Sequence, residues 1–362
     1  IAASWDFTNE GYAGFSGNQS WRNQPNGQAY DYDQRDDVNQ FVVAMFQKPH
    51  GRRELEARRQ ALDEIRAPVF DWGFYNIIRY QEVMSGYDYF ASNLNAANAL
   101  SSESSADIKL FPVDAFFYAP DLWLDYQYRP TASTAYRFQM EAAAVFGSIE
   151  TVPSLRNEDT EACVDPSEDP QDCLKKAQRQ DIQKFGYAME FDARYGKIRY
   201  GFHHGFATGD AQSGFGILDN AQLPRSGAEA GRDPKLTAFK FDRDYHVDLI
   251  MFRELIGGVT NATYFKPYFG YDFVQRPKEI WGFKLSSIYG LALEAEGTPG
   301  RESPLGLEID AEVYIKKAKK FHWSLAYGLL FPMSAFNLIE EDGSIIEPTV
   351  AQTIQMVMAL EF

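Results

Sequence analysis

The chain has 362 residues, and its 51 acidic and 35 basic side chains give a net charge of −16, which argues against nucleic acid and anionic lipid as binding partners. Aromatic residues make up 15% of the chain although its mean hydropathy is −0.39, and no run approaches the roughly 20 apolar residues of a membrane-spanning helix. Composition therefore excludes a helical membrane protein. The length suits either two soluble domains or one barrel of about 10 to 16 strands, and the composition favours the barrel.

The first elements in chain order are three strands interrupted by a charged segment. Alternating residues predict strands near 4–14, 41–47 and 69–80. Residues 48–66 break this alternation, because charges of both signs lie there over good helix formers. They predict a short solvated helix, which the strand count places on the periplasmic side, where a partner protein can dock.

Two hairpins are predicted in the middle of the chain. Residues 122–128 alternate apolar with polar side chains, and a short turn at 130–133 leads into a strand at 136–147. Strands at 185–194 and 197–206 form the second hairpin around a tight turn at 193–196. In each strand an apolar row faces outward and a polar row faces inward, as in a transmembrane barrel.

The C-terminal part completes a predicted set of twelve strands. Clear alternation places strands at 281–291, 307–314, 321–329 and 353–362. Short and long connections should alternate along a barrel. A count back from the C-terminus and a count from the middle of the chain agree only if residues 245–254 form a descending strand and 256–278 return through the periplasm without spanning the membrane. These assignments predict a single domain, 1–362, folded as an all-β, antiparallel outer-membrane barrel with about 12 strands, long outer loops and one short helix.

The last strand ends on an aromatic residue, Phe362. A terminal strand of this kind is typical of the signal that outer-membrane assembly reads, so the barrel assembly machinery is an expected partner during biogenesis. Outer-membrane lipid and lipopolysaccharide are the expected surroundings.

Two long outer loops are predicted, 151–179 and 210–240, and the first contains both cysteines. Cys163 and Cys173 lie in a polar segment without histidine, so a disulfide bond is favoured over a zinc site. Residues 158–172 carry seven acidic side chains and no basic one. Their spacing is not that of an EF-hand loop, so a solvated loop is favoured, with Ca²⁺ binding as the alternative.

The histidine pair His203–His204 is the one feature that suggests a hydrolase, which would need a serine beside His204. Adjacent strand residues point to opposite faces, and the chain contains neither G-x-S-x-G nor H-E-x-x-H. Packing is therefore the preferred role of the pair. The sequence predicts a protein that is not an enzyme, with no catalytic residues, no metal ligands and no cofactor.

Charged residues on the predicted inward rows are the candidate pore-lining groups, since such charges tune ion selectivity. They are Asp125, Arg129, Arg137, Glu141, Glu190, Asp192, Arg194, Lys197, Arg199, Asp248, Lys284, Glu308, Asp310 and Glu312. Arginines on the earlier strands and carboxylates on the 307–314 strand suit a water-filled pore, and equally a closed barrel that pairs its interior charges. The expected function is a passive channel for small polar solutes or a saccharide. A scaffolding barrel that docks periplasmic or surface proteins is the alternative.

Several stretches also resemble a family of predicted outer-membrane proteins of myxobacteria and their relatives, itself distantly similar to alginate-export porins. These stretches are 118–125, 205–210, 241–257, 259–262 and 328–336. The resemblance implies an outer-membrane location and names no activity or substrate. An alginate-type conduit would be lined with arginines, whereas the inward rows here are mixed to acidic.

Overall fold

The computed structural model describes residues 2–9, 37–86, 109–151, 178–211, 235–318, 320–340 and 343–360, and these are folded almost entirely as antiparallel strands. The strands are β1 (Ala2–Asn9), β2 (Asp37–Gln47), β3 (Val69–Gly86), β4 (Lys109–Tyr128), β5 (Thr134–Thr151), β6 (Gln178–Tyr195), β7 (Ile198–Ala207), β8 (Lys235–Leu236), β9 (Ala262–Arg276), β10 (Glu279–Ala292), β11 (Pro304–Lys317), β12 (Phe321–Pro332), β13 (Leu338–Ile339), β14 (Ile345–Ile346) and β15 (Ala351–Leu360). The all-β, antiparallel prediction is confirmed.

Twelve strands form one continuous path, in the order β1-β2-β3-β4-β5-β6-β7-β9-β10-β11-β12-β15. Each pairs with its neighbour in sequence order, so the sheet is a simple meander, and within the described residues its edge strands β1 and β15 do not pair with each other. The number of strands along this path equals the predicted twelve, but one strand was misplaced. Residues 245–254 are not a strand, and Ala262–Arg276, predicted to lack a full span, forms the 15-residue strand β9.

The connections are short at one end of the sheet and long at the other. At the short-turn end, residues 196–197, 277–278 and 318–320 join neighbouring strands. The first residue of β1 pairs with Ala44 near the end of β2, and Leu360 pairs with Phe321, so the described chain both starts and ends at this end. Strands β3 to β6 have 18 to 20 residues, whereas β7 has 10, and the extra length lies at the long-loop end.

The outer face of the sheet is apolar and exposed. Registered pairs such as Leu285 with Ala311 and Tyr327 with Ile354 bring outward side chains together across neighbouring strands. Many large outward side chains expose more than a third of their surface; Phe269, Leu285 and Met356 are examples. A soluble protein rarely exposes so much contiguous apolar surface. Among the described residues, no helix is both long and apolar enough to cross a membrane.

The inner face is curved around a segment of the chain, residues 237–261, which we call the plug. Curvature is evident because Arg199 on β7 reaches Tyr314 on β11, three strands away along the sheet. The plug packs its buried Met251 and Phe252 against inward side chains of β9 to β12. The main hydrophobic core of the described chain therefore lies inside the sheet, between the plug and one part of the wall.

The charged segment between β2 and β3 is helical, as predicted. It consists of α1 (Gly51–Gln60), continued by a π-helical turn, Ala61–Ile65. It lies at the short-turn end of the sheet. No residue of α1 is buried, and Leu62 in the following turn is the buried anchor.

Candidate functional site

The candidate site is the interior face of the sheet, whose two parts differ in what covers them. We call the inward rows of β9 to β12 the covered wall and the inward rows of β3 to β5 the open wall. Side chains of residues paired across neighbouring strands point to the same face of the sheet, so the pairing shows which residues of the open wall face inward. Arg137 on β5 pairs with Asp192 on β6, and Glu141 pairs with Ala188, which packs on the plug core.

The plug is held on the covered wall by one buried carboxylate. Glu308 on β11 is fully buried and accepts hydrogen bonds from the backbone N–H groups of Leu249, Ile250 and Met251, at 2.9, 2.9 and 2.8 Å. Charged acceptors make the stronger protein hydrogen bonds, and a buried carboxylate needs such partners. Glu308 thus fixes the start of the π-helical turn Met251–Ile256 against the sheet.

A second carboxylate, Asp248, belongs to the plug itself. It is buried and accepts the backbone N–H groups of Phe252 and Arg253 at 2.8 and 3.0 Å. Burial, and then the nearby carboxylate of Glu308, raises the pKa of Asp248 to about 7. Lys266 of β9 faces the same region and donates to the carbonyl of Val247.

Tyr245 connects the plug to β6. Its hydroxyl donates to the carboxylate of Glu190 at 2.8 Å and lies 3.4 Å from the hydroxyl of Tyr264. Burial, together with these neighbouring groups, raises the pKa of Tyr245 well above its usual value. Tyr245 therefore stays a neutral hydrogen-bond donor.

A polar cluster lies on β6, β7 and β9 beside the plug. Nε2 of His203 is 3.1 Å from Oδ1 of Asp192, and the hydroxyl of Tyr268 donates to the same carboxylate. Glu190, Asp192 and His203 present ligand atoms within 4.8 Å of one another, a donor set that suits a divalent cation. Both carboxylates already accept hydrogen bonds from tyrosines, so the cluster is satisfied by the protein's own groups.

Glycines on the neighbouring strands let aromatic rings lie flat against the covered side of the interior. A Cβ atom at Gly205 would lie 2.3 Å from the ring of Tyr264, and one at Gly282 would lie 2.2 Å from the hydroxyl of Tyr314. Tyr314 in turn donates to Asp272. These close approaches require glycine and make this part of the interior a packed surface.

The open wall faces the same interior but keeps its side chains accessible. Tyr75 exposes 43% of its surface, the side chain of Arg137 exposes 45%, and Glu141 is exposed. Asp121, registered opposite Tyr75, is half-buried. The plug therefore fills one side of the interior and leaves polar surface uncovered on the other side.

The helical segment contacts the open wall at the short-turn end. Asp71 and Asp125 are buried and lie directly opposite each other on β3 and β4. The guanidinium of Arg58 bonds to Asp71 and lies 3.7 Å from Asp125, which Arg137 also contacts at 3.1 Å. Arg129 pairs with the exposed Asp63 at 2.7 Å. Arg58 supplies the positive charge that two opposed carboxylates require.

The predicted pore-lining residues are thus divided among several environments. Arg137 and Glu141 lie on the open wall, whereas Glu308 and Asp310 are buried under the plug and do not face free space. Asp248 is a plug residue and not part of a strand. Lys197 and Arg129 lie in turns at the short-turn end and are exposed. Asp125 is buried on the open wall beside Arg58, and the remaining members at inward positions are Glu190, Asp192, Arg194, Arg199, Lys284 and Glu312.

Three further predictions fall outside the described residues. They are the disulfide between Cys163 and Cys173, the Ca²⁺ alternative for residues 158–172, and the assembly signal at Phe362.

The two histidines point to opposite faces, as predicted. His203 is in the interior cluster, and His204 faces outward, where its Nε2 lies 2.9 Å from the hydroxyl of Tyr187 and its ring stacks on Phe265. The hydroxyl beside His204 belongs to a tyrosine and not to the serine that a hydrolase would need.

Sequence reasoning missed the residues that build the plug, notably Tyr245, Met251 and Phe252. Residues 245–254 alternate poorly and are followed by Gly257–Gly258, a breaker signal that fits a turn better than a spanning strand. Arg58 was recognised only as part of a charged helix, because no local pattern connects it with Asp71.

The sequence matches no protein-family model and no curated protein. Among solved structures the chain is similar to LpxR from Salmonella typhimurium, with 9% identity, a TM-score of 0.25, and coverage of 90% of this chain and 89% of that chain. A TM-score this low supports no functional argument. The prediction that the chain is not an enzyme is contradicted and is withdrawn.

Proposed function

We propose that the chain is an outer-membrane β-barrel that conducts small polar solutes passively along its open wall. The outward apolar rows support the membrane location, since lipid-facing rows alternate with polar inward rows in such barrels. Three tryptophans lie within the first four residues of strands that begin at the short-turn end: Trp72 on β3, Trp281 on β10 and Trp323 on β12. In membrane barrels, girdles of aromatic residues lie at this level, at the membrane interface. The resemblance to predicted outer-membrane proteins is consistent with this location.

The observation that carries the channel proposal is the uncovered polar surface inside the sheet. Tyr75, Arg137 and Glu141 point inward and remain exposed, while Glu308 at the same face of the sheet is fully buried. A filled barrel would bury both sets. The surface left open by the plug contains an exposed carboxylate at Glu141, and charges of this kind set the selectivity of a narrow pore.

Single-channel recording in a planar bilayer tests the proposal, with the reversal potential measured under a salt gradient. Wild-type protein is expected to give a steady, ohmic conductance. Glu141→Gln is expected to shift the reversal potential away from cation preference. Glu302→Gln is the matched control, because it removes an exposed carboxylate from a loop beyond the strands and should leave the reversal potential unchanged.

Silence of the wild-type protein at every voltage would refute the channel. The protein would then be a filled barrel, and α1, which buries no residue of its own, would be the surface to test for a docked partner.

A further inference from the structure

A small pocket opens on the plug. It lies between residues 243–247 and 252–258 and has a volume of about 230 Å³. Val247 and Phe252, both buried, form its apolar floor. The pocket is therefore built by the fold of the plug and does not depend on a flexible surface side chain.

The charged groups around this pocket are mainly cationic. Arg243 and Arg253 line it together with the imidazole of His246, against the single carboxylate of Glu254. Glu254 lies 3.5 Å from Arg253, which also donates to Gln355 of β15 at 3.2 Å. Two guanidinium groups thus face one carboxylate, and Arg253 is held in place from two sides.

Arg243 supplies the uncompensated charge. It is exposed, and within the described part of the chain it makes neither a hydrogen bond nor an ion pair. Asp242 and Asp244 flank it in sequence but do not line the pocket, and the side chain of Asp242 accepts the backbone N–H of Asp244. The donors of Arg243 are consequently available to a ligand.

We infer that this pocket binds a small oxyanion, carrying a carboxylate or a phosphate group, through the guanidinium groups of Arg243 and Arg253. The planar fork of an arginine matches the two oxygens of either group, and charge-assisted hydrogen bonds of this kind are strong. Tyr245, whose hydroxyl donates to Glu190, also lines the pocket. The pocket size suits a small molecule and not a folded partner. This inference goes beyond conduction, since a pocket can bind whether or not the barrel conducts.

Isothermal titration calorimetry of the purified protein in detergent micelles tests the inference. Inorganic phosphate and succinate are titrated separately, and glycerol serves as the uncharged control. Saturable binding is expected for at least one anion, and none for glycerol. Comparison of the phosphate and succinate titrations identifies which oxyanion the pocket prefers. This result is independent of any bilayer recording.

Three variants separate the pocket from general attraction of anions to cationic groups. Arg243→Gln is expected to weaken binding at least tenfold, or about 1.4 kcal/mol. Arg276→Gln removes the same charge at the short-turn end, where Arg276 is exposed, and should bind like wild type. Glu254→Gln removes the one opposing carboxylate and should tighten binding, an effect that damage to the plug would not produce. Absence of binding by wild type at tens of millimolar anion, or equal binding by Arg243→Gln, would overturn the inference.

Discussion

The covered wall and the open wall are built by the same alternation, yet one is a protein core and the other faces free space. On β11 the inward Glu308 is fully buried and bonded to three backbone N–H groups of the plug. On β5 the inward Glu141 is exposed. Both are glutamates at inward positions of antiparallel strands, so strand pattern alone does not determine their environment.

The difference arises from a segment that is distant in sequence from most of the wall it covers. The plug joins β7 to β9, and its apolar side chains reach Ile288, Leu305 and Leu330 on three later strands. Where the plug packs, inward charges become anchors for backbone groups; where it does not, they stay solvated. The role of an inward charge therefore depends on which segment returns into the interior.

Removing the anchor of the plug should have the largest effect, because it would make the two walls alike. Glu308→Ala leaves three backbone N–H groups without an acceptor, and each such group left unsatisfied in a buried place costs roughly 1–3 kcal/mol. We expect a larger conductance and faster proteolysis within residues 237–261. Glu312→Ala, four residues further along the same inward row, is the control. Wild-type conductance and wild-type proteolysis in Glu308→Ala would show that this carboxylate does not hold the plug.

The second largest effect is expected from a substitution of Arg58, which contacts two buried carboxylates of the open wall. Arg58→Gln leaves Asp71 and Asp125 opposed without their shared cation, and we expect a loss of about 3 kcal/mol in the free energy of unfolding, measured with urea in lipid vesicles. Arg59→Gln, the exposed neighbour, should be nearly neutral. Adding Asp71→Asn to Arg58→Gln should restore part of the loss. If the double variant is no more stable than Arg58→Gln alone, repulsion between the carboxylates is not the cause.

Two glycine substitutions sharpen the comparison, one on β7 that meets a ring of the covered wall and one on the open wall itself. Gly205→Ala places a Cβ 2.3 Å from the ring of Tyr264, and overpacking of this kind costs about 1–3 kcal/mol. Gly73→Ala on β3 meets Phe46 at 3.6 Å, an ordinary contact, and should change stability by less than about 0.5 kcal/mol. Both are read from urea unfolding. Equal losses for the two variants would mean that the walls are packed alike.

The smallest expected effect is a pH dependence of the free energy that holds the plug on the covered wall. We call the plug seated when it is packed on this wall and released when it is not. Asp248, faced by Glu308 and Lys266, has its pKa raised from 3.8 to about 7 when the plug is seated. The seated plug therefore holds a proton that the released plug loses, so the free energy favouring the seated plug is greatest at low pH and falls as the pH rises from about 4 to 7. Hydrogen exchange of plug amides, corrected for intrinsic rates, should show less protection at pH 7.5 than at pH 5. Asp248→Asn should flatten this dependence, and an unchanged slope in that variant would assign it to another group.

The strands were predictable because an apolar outer face and a polar inner face impose a period of two on every strand. β6, β7 and the last strand follow this period without interruption, and their inward and outward rows were assigned correctly. The helical segment was predictable for the opposite reason, since its charges follow no such alternation.

The plug was not predictable because its contacts are made with residues far away in the sequence. Residues 245–254 contain apolar side chains at irregular spacing, and counting strands by loop length turned them into a span in place of β9. The acidic residues Glu308 and Asp310 have the same alternation whether a pore or a backbone segment lies beside them. Only the returning segment distinguishes these cases.

Because the strands differ in length, the long-loop end of the sheet has an uneven rim. β4 has ten more residues than β7, and at about 3.3 Å per residue its extra length is roughly 30 Å along the strand. In the proposed barrel a span of about 10 residues is enough to cross the bilayer, so β3 to β6 would extend farther beyond the headgroups than β7. The open wall belongs to this longer side. In the proposed channel the described strands therefore leave the rim at β7 lower than the rim at the open wall.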